Sequence, residues 1–437
     1  MATQFSESEK PNWRRTFFPI WFGQSFSLFG SRLVTFAIMW HLAATTQRAV
    51  VLTITALVGL VPELLLMPFA GACVDRWNRR RILILSDALI AIATLGMAIL
   101  FYLQIEQLWH IYILMFIRSL AGAFHNPAMK ASTSLLVPRE RLTNIAGLNQ
   151  FLDSVLEIAT PALGAIAIAT LSIGGVLLID MVTALIAIIP LLFIAIPQPD
   201  RKPDQEKSTG PLQALTRDVK AGFQYVIQWR GLLLAFLFAT ISNFFILPAF
   251  NLLPIMVSRD FQYGVDVLAI TNIIIGIAMA VGSIIISIWG GFKRKMFTMA
   301  LGVSLMGVGF LFFGFAPFNR YLFVLIGAAI FGLNNPFLNA PMSALLQESV
   351  EPEMQGRVFS LLVTTARAAI PLGMIVAGPL ADQVNVQTWY LAGGIYCLIM
   401  GVSLVSIPAI RNLDSVKSGD ALPKGASSHS VFITADE

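Results

Sequence analysis

Charged side chains interrupt otherwise apolar stretches of the sequence at Arg32, Glu63, Arg118, Asp153, Glu157 and Asp180. A carboxyl group half-buried in such surroundings can be neutral in one state and charged in another, which is the property a proton carrier needs. Asp153 and Glu157 lie four residues apart, so on a helix they share a face with Asn149, and Pro161 continues that stripe. Two carboxyls so close favour a shared proton. Alternatives stay open: Asp153 can be a hydrated residue near the membrane surface, Asp180 can be a structural ion pair, and the residues alone do not choose the carrier. Burying an arginine without a partner is costly. Arg118 is therefore expected to meet Glu157 or Asp153, and Arg32 to lie near Glu63, whereas Arg367 is expected to snorkel to an interface. There is no P-loop, so the energy source is expected to be an ion gradient rather than ATP. The four histidines form no metal or nucleophile pattern, and Cys73 and Cys397 stand far apart without zinc-ligand spacing. Neither enzymatic chemistry nor a metal or cofactor is expected.

These side chains must be positioned by membrane helices. Of 437 residues, 57% are hydrophobic and 12% charged, and the mean hydropathy is +0.76. A water-soluble core could not hide that much apolar surface. A span takes roughly 20 apolar residues to cross about 30 Å of hydrocarbon, and such stretches recur twelve times, the fifth from Ile145 to Leu171 and the sixth from Gly174 to Ile196. The expected fold is an all-α membrane protein with twelve transmembrane helices in two pseudo-symmetric six-helix bundles. Net charge +5 does not imply nucleic acid, because Lys and Arg sort by side of the membrane. Arg48, Arg259 and Arg320 fall on one side, Arg32, Arg118 and Arg367 within spans, and all the others on the opposite side, which the positive-inside rule makes cytoplasmic along with both termini. The expected organisation is a cytoplasmic segment 1–16, a bundle 17–196, a linker 197–231 with an amphipathic helix, a second bundle 232–408 and a cytoplasmic tail 409–437. The halves echo each other: Asn126-Pro127 in span four matches Asn335-Pro336 in span ten at an offset of 209 residues, with shared Ala and Ser beyond. Such a repeat places a site near the midplane of a two-bundle transporter.

The loop after span two carries Gly71, Asp75, Arg76, Arg79, Arg80 and Arg81, and resembles the G-x-x-x-D-R-x-G-R-[KR]-[KR] signature of the major facilitator superfamily. Asn78 stands where that pattern prefers glycine, and asparagine tolerates a left-handed backbone. The resemblance covers nearly the whole chain and implies a gating role for these residues. Within the superfamily the chain is similar to drug:proton antiporters of the macrolide-efflux (Mef-like) group, through Gly23-Gln24, the stretch from Phe116 to Gly147, Ile179-Asp180 and Gly356 to Ser360. Thr160-Pro161-Ala-Leu-Gly164-Ala165 is a degraded form of the antiporter signature in span five. Arg118 matches the group's span-four arginine, which the resemblance implies assists proton transfer. The implied activity is proton-coupled export of hydrophobic or amphipathic drugs by alternating access, from a multi-pass position in the bacterial inner or plasma membrane. The partners are then the lipid bilayer, an amphipathic small molecule and protons, with no nucleic acid, and the chain acts as a monomer. Candidate cavity residues are Gln24, Phe26, Asn149, Asn243, Phe244, Asn251 and Asn272, sparse polar points among aromatic side chains. A lipid or siderophore exporter of the same fold is the alternative. A receptor or membrane enzyme would require a soluble signalling domain or clustered catalytic residues.

Overall fold

A computed structural model describes residues 13–198, 223–350 and 352–408, apart from the side chains of residues 68, 72, 75, 76, 352 and 353. The expected linker helix and both terminal segments lie mostly outside the described residues. Only residues 223–228 of the linker are seen as a helical turn, with Val226 buried against Leu232 and Phe236.

No strand occurs among the described residues, and the order of elements is α1 (Trp13–Thr46), α2 (Ala49–Arg76), α3 (Arg79–Tyr102), α4 (Leu108–Leu136) and a 52-residue helical stretch Leu142–Phe193. At 1.5 Å per residue that stretch would run about 78 Å, far beyond one bilayer crossing. It is broken at Ser172, whose φ of 62° and ψ of 176° are non-helical. The break divides it into α5 (142–171) and α6 (173–193), where the sequence places the turn between spans five and six. There follow α7 (Arg230–Ile255), extended by a π-helical turn Met256–Asp260, α8 (Val265–Trp289), α9 (Lys295–Gly314), α10 (Leu322–Ser349), α11 (Pro352–Gln383) and α12 (Val386–Ser406). Eleven of these helical stretches are long and apolar enough to cross a membrane, with residues 139–193 counted once; dividing that one at Ser172 gives the twelve spans of the expected fold.

Local signals account for the ends. Asn78 is the N-cap of α3, its side chain accepting from Arg81 N–H at 3.2 Å, and Asn385 does the same for α12 from Thr388 N–H at 2.8 Å. The left-handed turn expected at Asn78 is not formed, since its φ is −69°. Capping a helix needs an extended backbone at that position, so the asparagine serves through its side chain instead. The left-handed backbone occurs in the corresponding basic loop of the second half, at Gly290 and Gly291.

Contacts divide the chain into two compact units: residues 1–211 with 251–273, and residues 212–250 with 274–437. In the first, α1 packs along α5 and α6, α2 against α4, and α3 against both α4 and the α5–α6 pair. Gly30 permits a close approach of α1 to α6, because a Cβ there would stand 3.0 Å from the Asp180 Cα. In the second unit α9 packs between α10 and α12, around stacked Phe310, Phe331, Phe313 and Tyr390.

Candidate functional site

The first unit holds two layers of buried polar side chains. Asp180, on α6, is wholly buried and accepts from Arg118 Nη1 at 2.6 Å, Ser31 Oγ at 3.2 Å and Thr94 Oγ1 at 3.2 Å. Arg118 also donates through Nη1 to Thr94 Oγ1 at 3.1 Å and through Nη2 to the Ser31 carbonyl at 3.2 Å. A carboxylate can leave water at this depth because a fixed cation and two hydroxyls replace its hydration. The second layer joins Gln24, Asp87 and His125. Gln24 Nε2 donates to Asp87 Oδ2 at 2.8 Å, His125 Nε2 lies 2.8 Å from Gln24 Oε1, and 3.4 Å separates it from Asp87 Oδ1.

The layers are in register on three helices. Gln24 and Ser31 on α1, Asp87 and Thr94 on α3, and Arg118 and His125 on α4 are each seven residues apart. Seven residues are two turns of helix, about 10 Å, and return a side chain to nearly the same face. Each helix thus contributes one group to each layer.

The expected pairings are redistributed. Arg118 meets neither Glu157 nor Asp153; its partner is Asp180. Arg32 pairs with Asp153 at 2.5 Å and with Glu157 at 3.5 Å, and not with Glu63. Glu63 accepts instead from Asn126 Nδ2 at 3.0 Å, and its own N–H donates to Ser119 Oγ at 3.0 Å. The physical reason is azimuth: sequence gives depth along each helix, but rotation of α1 and α4 decides which carboxylate each arginine faces. The Arg32 group is also wetter than expected of a proton site, with the side chains of Asp153 and Glu157 48% and 66% exposed. Arg367 stands midway along the 32-residue α11 and is exposed. About 24 Å of helix lies on either side of it.

Of the gating candidates, Gly71 has open space where a Cβ would stand, and the side chains of Asp75 and Arg76 lie outside those described. Arg80 donates through Nε to the Leu191 carbonyl and through Nη2 to the Leu192 carbonyl at 2.5 Å, placing a cation on the C-terminal carbonyls of α6. Arg79 is buried, its N–H donating to Gln198 Oε1 at 3.3 Å, and Arg81 is exposed.

The cavity candidates separate. Gln24 belongs to the second polar layer. Phe26 is exposed on α1, and Asn149 accepts from Trp21 Nε1 at 2.7 Å. Asn243 and Asn272 each turn back on their own helix, to Ala239 and Leu268 carbonyls at 2.9 Å, and Asn251 is half-buried at the end of α7. Phe244 packs against Phe245 and Trp389 at centroid distances of 5.0 and 5.6 Å. Sequence reasoning missed Asp87 and His125. The seven-residue spacing on α1, α3 and α4 was their only signal.

A sequence model of the Major Facilitator Superfamily matches residues 20–291 and 232–431. The chain is 33% identical over 405 residues to Macrolide efflux protein A of Streptococcus pyogenes, covering 92% of this chain and 98% of that protein. It is 26% identical over 412 residues to the Multidrug efflux pump Tap of Mycobacterium tuberculosis (strain ATCC 25618 / H37Rv), covering 92% and 96%. Among solved structures, a peptide transporter POT superposes with a TM-score of 0.69 at 12% identity, covering 91% of this chain and 95% of that one. A D-xylose-proton symporter superposes with a TM-score of 0.64 at 13% identity, covering 90% and 98%.

Proposed function

The chain belongs to the Major Facilitator Superfamily, and from that premise we propose that it exports hydrophobic or amphipathic drugs of the macrolide type, by alternating access, in exchange for protons entering the cell. Similarity over nearly full length to a macrolide efflux protein and a multidrug efflux pump supports the substrate class. The observation that carries proton coupling is the pair of buried polar layers in the first unit. Ionisable groups removed from water inside membrane spans are expensive, and a proton pathway is the use that repays them. Coupling is assigned to those layers, with Arg118 and Asp180 as the fixed pair and Glu63 beside them through Asn126. The Arg32, Asp153 and Glu157 group is assigned an electrostatic role at the wetter edge.

Substrate contact is assigned to apolar and aromatic surface with sparse amides, for which each unit offers candidates of its own, Phe26 and Asn149 in the first and Asn243 and Phe244 in the second. Hydrophobic contact of this kind favours breadth of selectivity over tight fit. The protein acts as a monomer in the cell membrane, with both termini in the cytoplasm, an orientation that the distribution of Lys and Arg supports.

Transport into proteoliposomes tests this reading. A radiolabelled macrolide should accumulate against its gradient when a pH difference is imposed and only equilibrate when the difference is collapsed. Accumulation indifferent to the pH difference removes the proton-coupled reading. No movement of macrolides alongside efficient flipping of a fluorescent phospholipid removes the drug.

A further inference from the structure

The two buried carboxylates differ in what neutralises them. Asp180 faces Arg118, a cation at any physiological pH, so its charge is matched permanently. Asp87 is 2% exposed and has no such partner among the groups that act on it. From α1 it receives the neutral amide of Gln24, from α4 the imidazole of His125, and from α6 the field of Asp180, an anion already matched by Arg118. On α2, Glu63 is engaged by Asn126, the residue after His125. An ionised Asp87 beside a neutral His125 would be a buried charge without a counter-ion. The Asp87 and His125 pair therefore holds one proton whenever it is dry, either on the imidazole or on the carboxyl.

Resting on the proton-coupled reading above, we infer that Asp87 and His125, bridged by Gln24, are the site at which the transported proton is bound and released. The amide serves both forms. With the proton on the imidazole, Nε2–H donates to Gln24 Oε1, 2.8 Å away, while Gln24 Nε2 donates to the carboxylate. With the proton on Asp87, the amide turns over: the carboxyl O–H donates to Gln24 Oε1, and Gln24 Nε2 donates to the neutral imidazole Nε2. One N–H bond breaks, one O–H bond forms, and no other proton moves. His125 is the wetter end, its side chain 18% exposed against 2% for Asp87. Exchange with water thus occurs at the imidazole, and storage occurs at the carboxyl. Two turns away, Arg118 and Asp180, with Ser31 and Thr94, tie the same three helices together.

The test uses the full chain carrying Asp87→Asn, which is isosteric with the protonated acid and keeps the hydrogen bond to Gln24. In proteoliposomes with a radiolabelled macrolide, each unit of imposed pH difference can drive about a tenfold accumulation per proton exchanged. For D87N the accumulation ratio should fall to about one while macrolide exchange without a gradient persists, because a carrier with no differential proton binding cannot couple the two. Wild-type accumulation in D87N with an unchanged pH profile overturns the inference and leaves the proposed function standing. If the native protein ignores the gradient, the proposed function fails first, and the site is then judged on purified protein. Its pH-difference infrared spectrum should contain a protonated-carboxyl band that is absent from D87N, and persistence of that band in D87N overturns the inference. Should D87N not fold, His125→Gln keeps a hydrogen-bonding group and removes the optional charge. The titration of the same band should move by about one pH unit or more, and an unmoved titration is equally fatal.

Discussion

The middle of the first unit is built on charge, and the middle of the second on aromatic rings. At the level of span four, Arg118 and His125 each anchor a polar layer. Moved along by the 209 residues that relate Asn126-Pro127 to Asn335-Pro336, those positions become Gly327 and Asn334 on α10. A Cβ at Gly327 would stand 2.7 Å from the Gly309 carbonyl, so an arginine has no room there, and the Asn334 amide merely returns to the Ile330 carbonyl at 2.8 Å. The volume is taken by Phe310 and Phe331, stacked at 5.0 Å, and by Phe313 and Tyr390 at 4.9 Å. A duplicated helical frame has thus been filled with two different chemistries. One half buries ion pairs and hydrogen-bonded polar groups; the other packs aromatic rings tightly against one another.

The contrast is broken most severely through Arg118. Arg118→Ala leaves Asp180 buried and uncompensated, which costs about 3–5 kcal/mol, and thermal unfolding in detergent should show a large loss together with loss of transport. The double variant Arg118→Ala with Asp180→Ala should regain part of that stability but not transport, since the isolated charge is gone while the layer is not rebuilt. A double variant no more stable than the single one would mean that the two side chains act independently.

In the second unit Phe331→Ala removes a ring stacked on Phe310 and 5.0 Å from Phe250. The cavity costs about 3–5 kcal/mol, but the surviving folded protein should show the native accumulation per unit of pH difference. A change in that ratio would carry coupling into the aromatic half and erase the division. Tyr390→Phe is the milder form, taking away only the hydroxyl that donates to the Ala249 carbonyl at 2.8 Å. The Ala249 carbonyl lies within α7 and keeps its helical bond, so the lost hydrogen bond costs about 0.5–1.5 kcal/mol, again with the coupling ratio unmoved.

Much of this division was legible in the sequence, and the illegible part has a definite cause. Hydropathy and Asn-Pro spacing gave the twelve spans and the repeat, and the turn between spans five and six fell where Ser172 breaks the helix. Arg118 and Asp180 stood out because each interrupts a long apolar run. Asp87 and His125 did not: one lies six residues beyond Arg81 and reads as part of a charged membrane surface, the other reads as an isolated histidine. Their meeting depends on α1, α3 and α4 being aligned so that residues 24, 87 and 125 share a level, which is information about three helices together. The partner exchange between Arg32 and Arg118 has the same origin, because helix rotation is fixed by packing such as Gly30 against Asp180.

Glu157 gives the smallest effect and the sharpest comparison within the first unit. Its side chain is 66% exposed and stands 3.5 Å from Arg32, which already has Asp153 at 2.5 Å. A pair so exposed is worth about 0–1 kcal/mol, so Glu157→Gln should leave thermal stability nearly unchanged. Arg32 keeps one carboxylate, and no buried charge is orphaned. The pH profile of macrolide accumulation should therefore coincide with that of the native protein. If it shifts or flattens while the protein stays folded, proton exchange reaches the wetter edge of the unit, and the buried layers alone do not account for coupling.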